Sequence, residues 1–132
     1  MTMTDPIADF LTHVRNANMI RREWIEMPLS KMRTALAIVL KEEGFLADFE
    51  VVADPLPGKL RVKLKYDRDG QRVIREIRRE SKPGRRYYVS ATNIPKVRNG
   101  QGMSVLSTTS GVISGRKARE SGVGGELLAT IW

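Results

Sequence analysis

The sequence predicts an α+β chain of two small domains: an α-β-α-β-β layer over residues 1–66, and a mainly β part with one short helix over residues 67–132. Three observations carry that expectation. Apolar residues recur at helical spacing in two stretches before residue 44. Strict alternation then takes over, most cleanly in "LRVKLKY" at 60–66. Charge also divides unevenly. Residues 1–66 hold 10 Lys/Arg against 9 Asp/Glu, whereas 67–132 hold 13 against 6, which puts nearly all of the net +8 in the second half.

The elements follow in order. Asp5-Pro6 opens a helix, because Asp can cap orphan amides and Pro is tolerated in the first helical position. Ile7, Phe10, Leu11, Val14 and Ala17 form its core stripe, with Arg15 and Asn16 near its end. "EWIEMP" reads as a short strand. Ser30 caps a second helix of roughly 31–43, with Met32, Ala35, Leu36, Val39 and Leu40 buried and Gly44 as its stop. "FLADFEVV" and "LRVKLKY" are strands, and "DRDG" is a turn. "RVIREIRRE" alternates as a strand, with a helix as the competing reading. "SKPGRR" is a turn, "YYVSA" a strand, and "TNIPKVRNGQG" a loop with room for one helical turn. "MSVL" is a strand. Ser114 caps a short helix of about 115–121, ended by Gly122, and "ELLATIW" is the last strand. The domain boundary is expected near 66–70.

Composition excludes several chemistries. There is no Cys, so no disulfide, thiolate metal site or Cys nucleophile. The single His13 leaves no second imidazole for a metal site and only one candidate base for a triad. Its plain reading is a solvated or locally paired side chain. No P-loop is present, and "GQGMSV" has Val105 where a dinucleotide fingerprint needs its third Gly. No apolar run approaches the about 20 residues of a membrane helix, and the start lacks a basic-then-apolar signal pattern. A cytosolic protein is expected. A basic chain of this size, with pI about 10.2, most often meets nucleic acid or another anionic surface.

Within the basic half, "SVLSTTSGVISGRKARESGVGGE" concentrates small polar groups. Ser107, Thr108, Thr109 and Ser110 form a hydroxyl run before Gly111. Such groups fit phosphate and sugar oxygens and base edges, and suit the wide minor groove of duplex RNA. They also populate ordinary loops. Gly124 and Gly125 leave backbone amides approachable. Glu126 is either an exposed strand residue or a functional acid. Tyr87 and Tyr88 follow Arg85-Arg86, and alternation puts one Tyr in the core and leaves the other to stack.

"DPIADFLTHVRNAN", "PLSKMRTALAIVLKEEGF", "KPGRRYYV", "IPKV" and "VLSTTSGVISGRKARESGVGGELLATIW" resemble the bacterial small-subunit ribosomal protein eight family over essentially the whole chain. The resemblance implies a two-domain, non-catalytic binder of the central domain of 16S rRNA that helps assemble the 30S platform in the cytoplasm. Neighbouring small-subunit ribosomal proteins are then partners, and some relatives repress their own operon mRNA. No cofactor, metal, membrane or small-molecule substrate is implied. On this resemblance the RNA-binding hydroxyl loop falls on Ser107, Thr108 and Thr109, followed by Ser110 and Gly111. Many relatives have Ser at the place of Thr109. Gly124, Gly125 and Glu126 lie near the same surface, with Glu126 an acceptor for base or ribose donors or an orienter of the loop. Tyr88, with Arg86 nearby, matches an aromatic that abuts RNA. Thr4, Asp5, Arg15, Asn16, Ser30 and Lys31 match positions that meet a second rRNA segment. Gly115 stands where relatives carry an acid, which weakens helix-dipole complementarity there. Two rivals remain: a basic RNA chaperone without sequence preference, and an enzyme for a phosphate-bearing substrate.

Overall fold

A computed structural model describes residues 5–132. They form two compact units, Pro6–Ile74 and Arg75–Trp132, the second also taking in Asp5.

In the Pro6–Ile74 unit, helix α1 (Pro6–Met19) buries Ile7, Phe10, Leu11, Val14 and Ala17, the stripe its spacing predicts. Burying a side chain such as Leu11 contributes about 1.5–3 kcal/mol. Asn18 is buried too; its Nδ2 donates to the Ile74 carbonyl at 2.7 Å, while its Oδ1 has no hydrogen-bond partner among the described residues. Helix α2 (Lys31–Glu42) starts where Ser30 accepts from the Arg33 amide at 3.1 Å. It ends in a Schellman closure: the Phe45 amide donates to Leu40 O and the Gly44 amide to Lys41 O, with Gly44 at φ +85. The expected stripe of α2 is rotated slightly. Leu36, Ala37, Val39 and Leu40 are buried, while Met32 and Ala35 are half-buried. Ala35 faces an open groove instead of the core.

Strands β1 (Trp24–Pro28), β2 (Leu46–Val52) and β3 (Lys59–Leu64) form an antiparallel sheet in the order β1-β3-β2. Alternation divides β3: Leu60, Val62 and Leu64 are buried, while Lys59, Arg61 and Lys63 stand on the other face.

The Arg75–Trp132 unit is built on β8 (Gly125–Ile131). Strand β6 (Met103–Thr108) pairs along one edge and β7 (Gly111–Ser114) extends the sheet beyond it. On the other edge β8 pairs with β4 (Ile77–Arg79) and β5 (Tyr88–Val89). Helix α3 (Gly115–Ser121) is capped by Ser114, which accepts from the Lys117 amide at 3.2 Å, and is closed by Gly122 at φ +69. Both ends were expected. Ala118 of α3 packs with Leu106, Leu127 and Ile94 in a buried cluster.

Four further expectations change. The strand expected over "RVIREIRRE" shrinks to Ile77–Arg79. Upstream, Arg72 makes only an isolated bridge to Tyr66, and the Arg75 and Glu76 amides both donate to Trp132 O. "YYVSA" keeps only Tyr88 and Val89 as strand, and neither Tyr enters the core: Tyr87 is 46% and Tyr88 69% exposed. The strand is too short for alternation to bury one of them. The "TNIPKVRNGQG" loop holds two 3-10 turns, Ala91–Asn93 and Val97–Gly100. Finally, residues 111–114 form a strand that the hydroxyl-rich sequence conceals.

Candidate nucleic-acid interface

Pairing register assembles the site. Tyr88 and Ser107 both stand opposite Glu126, and Val112 stands opposite Ser107. Directly opposed residues project on the same face, with Cβ atoms roughly 4.5–5.5 Å apart. One row, Tyr88–Glu126–Ser107–Val112, therefore crosses four strands. The neighbouring row, Leu127–Leu106–Ile113, points the other way, into the cluster under α3. The polar row lies on the face that this cluster does not cover.

Glu126 is the fixed point of the row. Its Oε2 accepts from Ser81 Oγ at 2.6 Å and from Arg86 Nη1 at 2.9 Å. Ser81 is fully buried, and its Oγ in turn accepts from the Tyr87 amide at 3.1 Å. Burial in the sheet pushes the Glu126 carboxyl up, but the Ser81 and Arg86 hydrogen bonds and the Arg86 and Arg79 charges outweigh it and hold the group below its ordinary value. The same hydrogen bond raises Arg86. Glu126 thus orients Ser81 and Arg86; the hydroxyl hairpin is held by bonds of its own.

Those bonds centre on Thr108. Its Oγ1 donates to Gly111 O at 2.9 Å and accepts from the Ser110 amide at 3.0 Å. Gly111 turns the chain at φ +98, and an added Cβ there would meet nothing, so conformation alone requires the glycine. Thr109 and Ser110 form the exposed tip, while Ser107 is half-buried. Gly124 and Gly125 serve the protein itself. A Cβ on Gly125 would collide with the Ser107 carbonyl, and one on Gly124 with the Val89 carbonyl. Both glycines let neighbouring backbone close onto β8 beside the polar row. Gly115 has a similar reason: it is buried, and a Cβ there would run into Ser104 Oγ.

The structure therefore brings together Arg86, Tyr88, Ser107 to Gly111 and Gly124 to Glu126. Asp5 is tied to this network through Arg79, whose charge also acts on Glu126; the other described candidates belong to the Pro6–Ile74 unit. Asp5 accepts from Arg79 Nη2 at 3.3 Å. Ser30 and Lys31 border the groove of about 540 Å³ that Leu29, Ala35 and Ile38 line. Arg15 and Asn16 lie nearly two turns beyond Asp9, through which α1 meets Arg33 at the start of α2. Thr4 lies outside the described residues. His13 sits 3.6 Å from Asp9, its local partner. Sequence reasoning missed Ser81. Nothing in "SKPGRR" marks it, because its role exists only once the 81–87 turn folds against β8.

Residues 5–132 match the family model for ribosomal protein S8. The chain is 50% identical to the small ribosomal subunit protein uS8 of Latilactobacillus sakei subsp. sakei (strain 23K), 53% to that of Geobacter sulfurreducens and 53% to that of Leuconostoc mesenteroides subsp. mesenteroides. Each match covers all of this chain and all of the relative. By this full-length likeness, the chain belongs to the ribosomal protein S8 family.

Proposed function

We propose that this chain is a structural, non-catalytic component of the small ribosomal subunit in the bacterial cytoplasm, and that it binds the central domain of 16S rRNA during assembly of the 30S platform. Neighbouring small-subunit proteins are its further partners. In this reading residues 67–132 are the principal RNA-binding domain and residues 1–66 touch a second rRNA segment through Thr4, Asp5, Arg15, Asn16, Ser30 and Lys31. One observation carries the proposal: Tyr88, Glu126 and Ser107 share one face of the sheet, next to a hydroxyl-tipped hairpin, in a basic unit. Tyr88, 69% exposed, offers a ring for a base or ribose. Small hydroxyls and Gly111 give a low surface that suits the RNA minor groove. Arg86, held by Glu126, adds a cation at a fixed place.

A titration tests this. Labelled central-domain 16S rRNA is compared with an unrelated duplex of equal length over a series of salt concentrations. Strong preference for the rRNA supports the proposal. Equal affinity for both identifies a basic chaperone without sequence preference. Repression of its own operon mRNA requires that the same face accept that mRNA, so the mRNA should compete with the rRNA in this assay.

A further inference from the structure

A second cationic feature lies at the opposite end of the same sheet. Arg78, beside the end of β8, and Arg98, in the Val97–Gly100 turn, both place their guanidiniums over the Trp132 ring, at 5.3 Å and 4.8 Å from its centre. Both arginines are exposed, and among the described residues neither side chain has a carboxylate or hydrogen-bond partner. Arg75 and Lys96, nearby in sequence, likewise lack a carboxylate partner; Glu76 is the one acid in these segments. From Glu126 to Trp132 the strand advances about 20 Å at roughly 3.3 Å per residue, so this cluster is separate from the hairpin.

The backbone holds Arg98 in place against its own preference. Arg98 (φ 49, ψ 47) and Asn99 (φ 56, ψ 34) are both left-handed, and Gly100 follows at φ +90. Residues with a Cβ avoid this region, and such strain concentrates where a side chain must be aimed. The turn is pinned from below. A Cβ on Gly102 would come within 2.6 Å of Ile131 O and 2.8 Å of Trp132 Cβ, so the loop lies directly on the strand end.

We propose that Arg78 and Arg98, stacked on Trp132, form a second RNA contact that grips phosphates, remote from the hydroxyl hairpin. The two ring distances keep the guanidinium carbons within about 10 Å of each other, close enough to meet neighbouring phosphates of one strand. Stacking fixes each guanidinium plane while leaving its edge donors open, and that fork matches phosphate oxygens. An RNA partner fits better than an acidic protein because the same basic unit, with 11 Lys/Arg against 4 Asp/Glu, also carries the hydroxyl hairpin. The inference therefore rests on the RNA-binding reading above.

The test uses the full chain and transcribed full-length 16S rRNA, with affinity followed over a potassium chloride series. Losing two phosphate contacts makes the log–log salt slope shallower by about 0.9 each, so by about 1.8 for the Arg78→Ala/Arg98→Ala variant. Arg98→Gly separates binding from folding. It removes the guanidinium but suits the left-handed turn, so its melting temperature should not fall while its slope still drops by about 0.9. Ser107→Ala should lower affinity with the slope unchanged, because it removes no charge. A wild-type slope and affinity in the double variant would overturn the proposal. So would a double variant that binds rRNA normally but loses affinity for poly-glutamate, which would assign the site to an acidic protein. If wild-type protein shows no preference for 16S rRNA, the hairpin reading fails, and the slope difference still decides the arginine site.

Discussion

In the Pro6–Ile74 unit 12 Lys/Arg stand against 10 Asp/Glu, whereas in Arg75–Trp132 11 stand against 4. The first unit's open sheet face is laced with pairs. Arg61 meets Glu26 and Glu50, Lys59 meets Glu26, Lys63 meets Glu23 and Lys41 meets Asp48. Arg61 and Lys63 also lie over the Trp24 ring. In the second unit, pairs among the described residues include Arg79 with Asp5, Arg86 with Glu126, and Arg116 with Glu120. Arg75, Arg78, Lys82, Arg85, Lys96 and Arg98 have no carboxylate partner among the described residues. The first unit pairs the cations of its open sheet face, Lys59, Arg61 and Lys63, with carboxylates; the second leaves those six for an anion from outside. A surplus of unpaired cations is the electrostatic footprint of a nucleic-acid binder.

The largest expected effect tests which unit carries binding. Leu106 and Leu36 are both fully buried, one in each unit. Either change to Ala should cost about 2–5 kcal/mol in urea denaturation. Only Leu106→Ala should also cut affinity for central-domain rRNA sharply, since Leu106 supports the row beneath Ser107 and Glu126. Equal binding losses would erase the distinction between the units.

Next comes Ser107→Ala, expected to remove about 1–3 kcal/mol of specific RNA binding. Arg68→Ala, in the exposed turn of the paired unit, should cost little. Matching losses in a filter-binding assay would mean that the hairpin is not the specific contact.

Glu126 gives a smaller, pH-dependent effect. Its folded-state pKa is depressed below the ordinary 4.5, so its stabilisation is complete above that value. The stabilisation is lost as pH falls through the lowered folded value. Glu126→Gln should cost about 1 kcal/mol at neutral pH and remove that part of the acid-side slope. Urea midpoints measured from pH 7 down to about pH 3 should therefore converge for the two proteins. Parallel curves would show that the Ser81–Arg86 network does not stabilise the fold.

The smallest effect belongs to the paired unit. The exposed Arg61–Glu50 bridge, at 3.2 Å, should show a coupling of only about 0.2–1 kcal/mol in a double-mutant cycle, reduced further by salt. A large, salt-resistant coupling would mean that this face is organised more tightly than its exposure suggests.

Local rules made much of this chain readable in one dimension. The stripe of α1, the alternation of β3, the Gly44 stop and the Ser114 and Gly122 ends of α3 depend on residues within a few positions of one another. The sequence alone therefore determined both helices of the first unit, the short helix of the second, the basic half, and the family through its terminal motif. Tertiary structure decided the rest, because strand pairing joins residues whose separation carries no periodic signal. Ile77–Arg79 and Tyr88–Val89 are strands only where β8 offers partners, and residues 111–114 pair because Gly111 reverses the chain after the hydroxyl run. The same distant register set Glu126 between Tyr88 and Ser107, gave it the buried Ser81, and brought Arg78 and Arg98 to one tryptophan. Gly124 and Gly125 were legible as a flat edge, but the reason for their flatness, backbone pressing from Val89 and Ser107, exists only in the folded sheet.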